Sequence, residues 1–406
     1  MSGPLEGVRV LELGMLIAGP FAGRLLADSG AEVIKVEQPG QGDPMREWGQ
    51  HRYQGRPLWW PIQSRSKKLI TLDLRQPKGR DLLLRLAERS DVLIENFRPG
   101  TLERWGLGPD ELWRVNSALV IARISGYGQT GPYAGRPGFA VTGEAMGGLR
   151  HINGYPGEPP PRSGISLGDS LAAMFAVQGV LMALYRRDAG GCRADRDGGR
   201  GQIVDASIME SCFAMLEAAV PEYGKLGHVR QPTGTALRNT APSNLYRSRD
   251  GKWVVIGANA ENLWRRLCRV ISRPDLLEDE RFRTHWSRGQ NAAALDQIIG
   301  AWVAERDAAQ VDQVMNENGI VCGPVYTIAD IFEDPQFQAR DMLVEMQDPE
   351  LGTIVMPGVV PKLSETPGEA SWTGSWQVGH HNRDVYGGLL GLTETELLAL
   401  AEEGVT

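Results

Sequence analysis

From residue 8 to residue 124 the chain alternates two kinds of apolar spacing. Short β-type runs occupy 8–13, 31–37, 69–74, 91–94 and 118–124. Between them lie helical spacings over 21–28, over about 79–90 and after Pro99. This alternation constrains the fold more than any other feature of the sequence. A strand followed by a helix and another strand builds a parallel sheet, because a parallel neighbour needs a crossover long enough to hold a helix. Ligands on such sheets sit in the loops beyond the carboxyl ends of the strands.

The expectation is an α/β chain with a large Rossmann-like parallel-sheet domain and a smaller α/β domain. Residues 126–168 are rich in Gly and Pro and read as a long working loop. An apolar helix follows over about 170–186, then a charged, glycine-rich exposed loop over 186–201, read as a surface insertion, then a helix over 203–220. The stretch 231–244 suggests a boundary; beyond it 253–257 is a strand and the chain is mostly helical to about 319. A last helix spans 389–403, opened by Thr393 and Glu394. The domains expected are 1–220, 225–330, and a C-terminal segment 331–406 that returns to the large domain.

Composition narrows the partners. Lys and Arg number 43 against 50 Asp and Glu, a net charge of −7, with no basic run of five; nucleic acid and anionic membrane are excluded as main partners. Four scattered cysteines without C-x-x-C spacing indicate neither a zinc site nor a disulfide framework. Glu6 and Arg9 precede any apolar run, unlike a signal peptide, and the uncharged stretch 170–185 falls short of a bilayer span. A cytoplasmic protein is expected. The one excess is glycine, 50 of 406 residues, which implies many tight turns or close approaches.

Four segments could carry chemistry. Gly14 to Pro20, between the first strand and its helix, can offer backbone N–H groups to an anion or be a plain turn; it is not G-x-G-x-x-G. Asn96, Phe97 and Arg98, with Arg104 and Trp105 further on, can hold a phosphate and stack a base, or open a helix over two core aromatics. Asp169 opens the apolar helix and reads first as a cap; yet Gly168 beside it leaves room for a substrate carbonyl, and a carboxylate can be a covalent nucleophile. Gly257 and Ala258 follow a strand and could form an oxyanion hole or a turn. Six histidines show no metal spacing beyond the adjacent His380 and His381, and no G-x-S-x-G elbow is present.

Taken together these segments resemble the class III CoA-transferases, the family that includes formyl-CoA, carnitine and dicarboxylate CoA-transferases. The resemblance is carried by LEGVRVLELGMLIAGPFAGRLLADSGAEVIKVEQPG (5–40), SKKLITLDLRQPKG (66–79), DVLIENFRPGTLERWGLGP (91–109), ISGYGQTGPYAGRPGF (124–139), GISLGDS (164–170) and GRGQIVDASI (199–208). It implies that Asp169 is a nucleophile that forms an aspartyl–acyl anhydride and then an aspartyl-CoA thioester. The loop at Gly257 and Ala258 corresponds to the family's shielding glycine loop, with fewer glycines here. Ile17, Ala18, Leu72, Asp73, Leu74, Arg75, Asn96, Phe97 and Arg104 match positions that hold CoA, with Phe97 and Trp105 flanking the adenine and Arg75 and Arg104 meeting phosphate.

The resemblance further implies acyl-CoA and a small carboxylic acid as substrates, no tightly bound cofactor, no metal, and an interlocked homodimer. Succinyl-CoA with a dicarboxylate is the plausible pair. Ile17 stands where formyl-CoA transferase carries glutamine, and Ala140 where an acidic residue commonly follows the aromatic. Both changes favour a larger or partly apolar acid over oxalate. α-Methylacyl-CoA racemases share the fold but carry a histidine base where this chain has Phe139. A non-catalytic acyl-CoA-binding protein would have no need of Asp169.

Overall fold

The computed structural model describes residues 3–189, 199–236 and 240–406. At its centre is a six-stranded parallel sheet. Strands β1 (Arg9–Glu12), β2 (Glu32–Glu37), β3 (Lys67–Thr71), β4 (Val92–Glu95), β5 (Val120–Ser125) and β6 (Ile203–Ser207) lie in the order β3-β2-β1-β4-β5-β6. Val10 pairs with Val33 on one side and Val92 on the other. This is the doubly wound order. It changes direction between β1 and β4, which opens a crevice beyond their carboxyl ends.

Both faces of the sheet are covered, which accounts for its nearly continuous apolar strands. Val10, Val33, Val92 and Val120 face one core; Leu11, Ile34, Leu93 and Ile121 face the other. The helices of this unit are α1 (Ala18–Asp28), α2 (Pro77–Glu88), α3 (Thr101–Arg104), α4 (Ala140–Met146), α5 (Leu167–Ala189) and α6 (Ile208–Phe213). Contrary to the sequence expectation, α5 is long and apolar enough to cross a membrane by length and composition alone. In the fold it is a core helix. Ala172, Ala173, Ala176, Val180 and Ala183 are buried in the cluster that holds the strand valines, where small side chains let a helix approach a sheet closely.

The helix expected over 203–220 is a strand followed by a short helix. β6 completes the sheet by pairing Ile121 with Ile203 and Ser125 with Ser207, and Ser207 then caps α6 by accepting the Glu210 N–H. Pairing with the open edge of β5 overrides the local apolar spacing. The charged loop expected over 186–201 begins inside α5, and most of it lies outside the described residues.

The chain divides into two compact units. One comprises Met1–Leu149, Arg162–Val220 and Phe337–Thr406; the other comprises Arg150–Pro161 and Pro221–Gln336. Residues 150–161, placed in the first domain from sequence, therefore group with the second unit. That unit has an antiparallel sheet of β7 (Ser243–Arg247), β8 (Trp253–Gly257) and β9 (Val321–Pro324), with β8 in the middle. Helices α7 (Glu261–Val270), α8 (Ala292–Ala304) and α9 (Ala308–Glu317) supply Trp264, Leu267, Leu295, Ile299, Val311 and Met315 to its core.

The C-terminal part of the first unit forms a hairpin of β10 (Leu343–Asp348) and β11 (Gly352–Pro357) and ends in α10 (Glu394–Glu402). It is tied to the sheet by backbone: the Asp73 N–H donates to the Val405 carbonyl and the Ser66 N–H to the Trp372 carbonyl. The Tyr386 hydroxyl donates to the Thr71 carbonyl.

Candidate active site

The crevice beyond β1 and β4 is built from two loops that hold each other. After β1, Gly14 and Gly19 meet backbone to backbone; a Cβ on either would lie 2.8 Å from the other's Cα. Met15 then donates its N–H to Asn96 Oδ1 (2.8 Å) and accepts from Asn96 Nδ2 (2.9 Å). Leu16 is left-handed at φ 64°, a strained conformation for a branched residue, and its N–H donates to Asp43 Oδ1. Asp43 is fixed in turn. Its other oxygen lies 2.7 Å from Lys35 Nζ, which also pairs with Glu12.

Lys67 reaches the second oxygen of Glu12 at 2.6 Å and donates to the Pro20 carbonyl, while Lys35 donates to the Gly14 carbonyl, so Glu12, Lys35, Asp43 and Lys67 form a buried cluster under the loop. Burial pulls the Lys67 amine down to about 8, against the attraction of Glu12. Burial acts on Lys35 in the same sense, but the charges of Asp43, Glu12 and Glu37 outweigh it and raise its pKa. The cluster locks the loop so that Ile17 and Ala18 wall the crevice.

Two cavities open here. The larger, about 680 Å³, is lined among others by Met15, Ile17, Ala18, Asn96, Phe97, Trp105, Phe139, Ala140, Ser166 and Asp169. The smaller, about 160 Å³, is lined by Leu72, Asp73, Leu74, Arg75, Phe97 and Trp105. Phe97 and Trp105 form the wall between them. Their rings meet edge to face, centroids 5.2 Å apart and 71° between planes. No slot for a base separates them, so a base can stack only on their cavity faces. Arg75 is paired with Asp73 at 2.8 Å. Arg104 lines neither cavity; its guanidinium donates to Thr101 Oγ1. The arginines that do line the larger cavity are Arg98, Arg136 and Arg162.

Asp169 lies in the first turn of α5, two residues after the helix begins. Among the described residues nothing donates a hydrogen bond to its carboxylate. Burial and then the like charge of Glu144 push its pKa from 3.8 up to about 6, against the charge of Arg162, which lowers it. Glu144, on α4, is 2% exposed, and its Oε1 accepts the Gly168 N–H at 3.1 Å. Packing requires Gly168: a Cβ there would lie 2.9 Å from Ile208 Cγ2 and 3.2 Å from Glu144 Cγ.

Gly257 and Ala258 belong to the second unit. Gly257 ends β8, opposite Ser243 and Val321, and the buried Ala258 donates its N–H to the Pro242 carbonyl at 2.8 Å. That amide is therefore occupied. Sequence reasoning missed Glu144 and gave no role to Arg136 or Arg162. The Arg162–Asp169 run was visible in the sequence, but Glu144 carries no local signal.

A carboxylate of raised pKa without hydrogen bonds, beside guanidiniums without ion pairs at the switch point of a doubly wound sheet, marks an active site suited to an anionic ligand. Comparison makes this specific. The model of CoA-transferase family III matches residues 5–382. The chain belongs to this family of CaiB/BaiF class III CoA-transferases and is an enzyme of that class.

It is 52% identical over 402 residues to succinyl-CoA–D-citramalate CoA-transferase of Chloroflexus aurantiacus, covering 99% of this chain and 98% of that one. It is 38% identical over 405 residues to the beta subunit of succinyl-CoA–L-malate CoA-transferase from the same organism, covering 99% and 98%. A CAIB/BAIF family protein from Brucella suis superposes with a TM-score of 0.83 at 30% identity, covering 96% of this chain and 100% of that one.

Proposed function

We propose that this chain moves CoA from succinyl-CoA to a small dicarboxylic acid of the citramalate or malate type, through covalent intermediates on Asp169. The observation that carries the reading is the Asp169 carboxylate, open to a 680 Å³ cavity and free of hydrogen bonds that would occupy its lone pairs. With a pKa of about 6 it is mostly ionised at neutral pH, yet more basic than an exposed aspartate.

An Asp169 oxygen attacks the thioester carbonyl, and the C–S bond breaks to give the mixed anhydride and CoA thiolate. The thiolate attacks the aspartyl carbonyl, the anhydride C–O bond breaks, and the donor acid leaves as a carboxylate. The acceptor carboxylate then attacks the aspartyl-CoA thioester, and the two steps run in reverse. No net proton is consumed. The protein's task is to position the partners and keep water from the anhydride.

The likeness to the citramalate and malate enzymes supports the choice of donor and acceptor. Racemisation would need two proton-transfer groups across the α-carbon. Among the described residues Asp169 is the one carboxylate lining the cavity, and no histidine lines it. We further propose a homodimer, which would cover the exposed apolar residues Met174, Met182 and Tyr185 of α5. Sedimentation at monomer mass would refute it. The function is tested by mass spectrometry of CoA esters after incubation with succinyl-CoA and a panel of acids. Citramalyl- or malyl-CoA is the expected product, made by the native chain and not by D169N. Failure to transfer CoA from succinyl-CoA to any dicarboxylate would overturn the reading.

A further inference from the structure

Among the described residues the charged ones lining the larger cavity are Arg98, Arg136, Arg162 and Asp169, three cations to one anion in a chain of net charge −7. Arginines buried elsewhere in the fold have carboxylate partners: Arg46 pairs with Glu37, Arg65 with Asp28, Arg123 with Glu95 and Arg288 with Glu261. The cavity arginines differ. Among the described residues Arg98 and Arg162 have no ion pair and donate no side-chain hydrogen bond, and Arg136 lies over the Tyr133 ring at 3.7 Å. All three are exposed, so water solvates them in the free chain; on a cavity wall such guanidiniums remain available to an anionic ligand, because the planar fork binds carboxylate or phosphate through two parallel hydrogen bonds.

The three do not stand in equivalent places. Arg98 follows Phe97 on the loop beyond β4. Arg162 precedes the nucleophile by seven residues on the segment that leads into α5, and its charge is the cationic one that acts on Asp169. In CoA the whole pantetheine arm separates the phosphates from the thioester sulfur. A guanidinium whose field reaches the nucleophile therefore serves the acyl end of the ligand, not the nucleotide end. Arg162 is also exposed and unpaired, so the fold makes no use of it.

The geometry points to Arg162 as the subsite for the second carboxylate of the acyl group, the one not engaged by Asp169. This rests on the proposed dicarboxylate exchange and deepens it. Donor and acceptor both place one carbonyl at Asp169, so their distal carboxylates reach the same guanidinium in turn. One arginine thus reads both substrates, and a monocarboxylic acyl group leaves it unpaired. The chemical class selected is a short dicarboxylate, with Arg162 the residue that determines specificity.

The test compares succinyl-CoA with butyryl-CoA, which lacks the distal carboxylate. Isothermal titration uses the D169N chain, so that nothing turns over, with and without R162Q. The D169N chain is expected to prefer succinyl-CoA, and R162Q to reduce that preference by about 10- to 100-fold, the value of a charge-assisted hydrogen-bonded pair. R162K, which keeps the charge but loses the fork, should fall between. R98Q, on the loop with the aromatic wall, should weaken both thioesters alike.

An unchanged preference in R162Q, or an equal loss for both thioesters, overturns the subsite. Because titration needs no turnover, the two proposals fail separately. If the acid panel shows no transfer from succinyl-CoA but R162Q abolishes the preference, the donor–acceptor reading falls and the subsite stands. If dicarboxylates are exchanged and the preference survives R162Q, only the subsite falls.

Discussion

Glu144 offers the sharpest test of how the nucleophile is tuned. Its carboxylate is buried, holds the Gly168 N–H at 3.1 Å and adds like charge beside Asp169. The groups that act on Asp169 are Glu144 from α4 and Arg162 from the preceding segment. Asp169 and Glu144 also act on the Cys212 thiol of α6, which burial and the two carboxylates push up to about 11. Glu144→Gln keeps the size and the acceptor oxygen while removing the charge. Burial, the larger cause of the raised Asp169 pKa, remains.

The pH dependence of the acylation step should show a midpoint at about 6 in the native chain and a lower one in E144Q. Around a midpoint of 6, one unit of displacement takes the ionised fraction at pH 5 from about one-tenth to about one-half. The variant should therefore retain severalfold more of its pH 7.5 rate at pH 5. The assay is single-turnover formation of the Asp169 adduct from succinyl-CoA, acid-quenched and read by mass spectrometry of the intact chain, from pH 4.5 to 8. A uniformly slower E144Q with an unmoved midpoint would refute the electrostatic role and leave Glu144 as a brace for the helix start.

Three further outcomes follow from the same geometry. Because the Asp169 pKa is raised in the fold, its ionised form opposes folding above about pH 6, and that penalty vanishes once the group is protonated in both states. D169N should thus unfold at about 1–3 kcal/mol greater stability than the native chain at pH 7.5, the difference fading by pH 4; a gap independent of pH in chemical denaturation would contradict this. Asn96→Ala removes both hydrogen bonds to Met15 and should raise the KM for acyl-CoA about tenfold with a smaller change in kcat; equal effects on both parameters would place Asn96 in the chemistry instead. Lys35→Met removes the cation paired with Asp43, leaves Glu12 with Lys67 alone, and should cost about 3–5 kcal/mol of stability; a loss under 1 kcal/mol by urea titration would show that the cluster does not clamp the loop.

Some of this was legible in the sequence for identifiable reasons. Strands buried on both faces write short β-branched runs, so β1 to β5 could be located directly, although β3 runs 67–71 rather than the expected 69–74 and leaves Leu72 to Leu74 as loop. β6 could not, because the spacing of residues 203–213 satisfies a helix as well, and only the non-local ladder to β5 decides it. Where the arginines lie depends on side-chain direction. Arg104 has the right spacing to the aromatics, but it donates to Thr101 on its own helix turn, whereas Arg98 at the loop lines the cavity. Glu144 became visible only when α4 and the start of α5 were seen to meet. The return of the C-terminal segment depends on contacts such as Ser66 with Trp372, which no local pattern encodes.

The abundance of glycine and the acidic net charge then bear on one piece of chemistry. Gly14 with Gly19 and Gly143 with Gly168 are points where a single Cβ would collide with backbone or with Ile208. They bring the loop after β1, helix α4 and the start of α5 close enough for Glu144 to act on Asp169 and for Ile17 and Ala140 to share its cavity. Close packing also lowers the local dielectric, which strengthens the action of Glu144 on Asp169. A net charge of −7 is screened within about a Debye length in solution. Arg98, Arg136 and Arg162 are exposed along the cavity wall, so they act on an anionic thioester only at contact range, and the preference among acids that Arg162 confers should weaken as ionic strength rises.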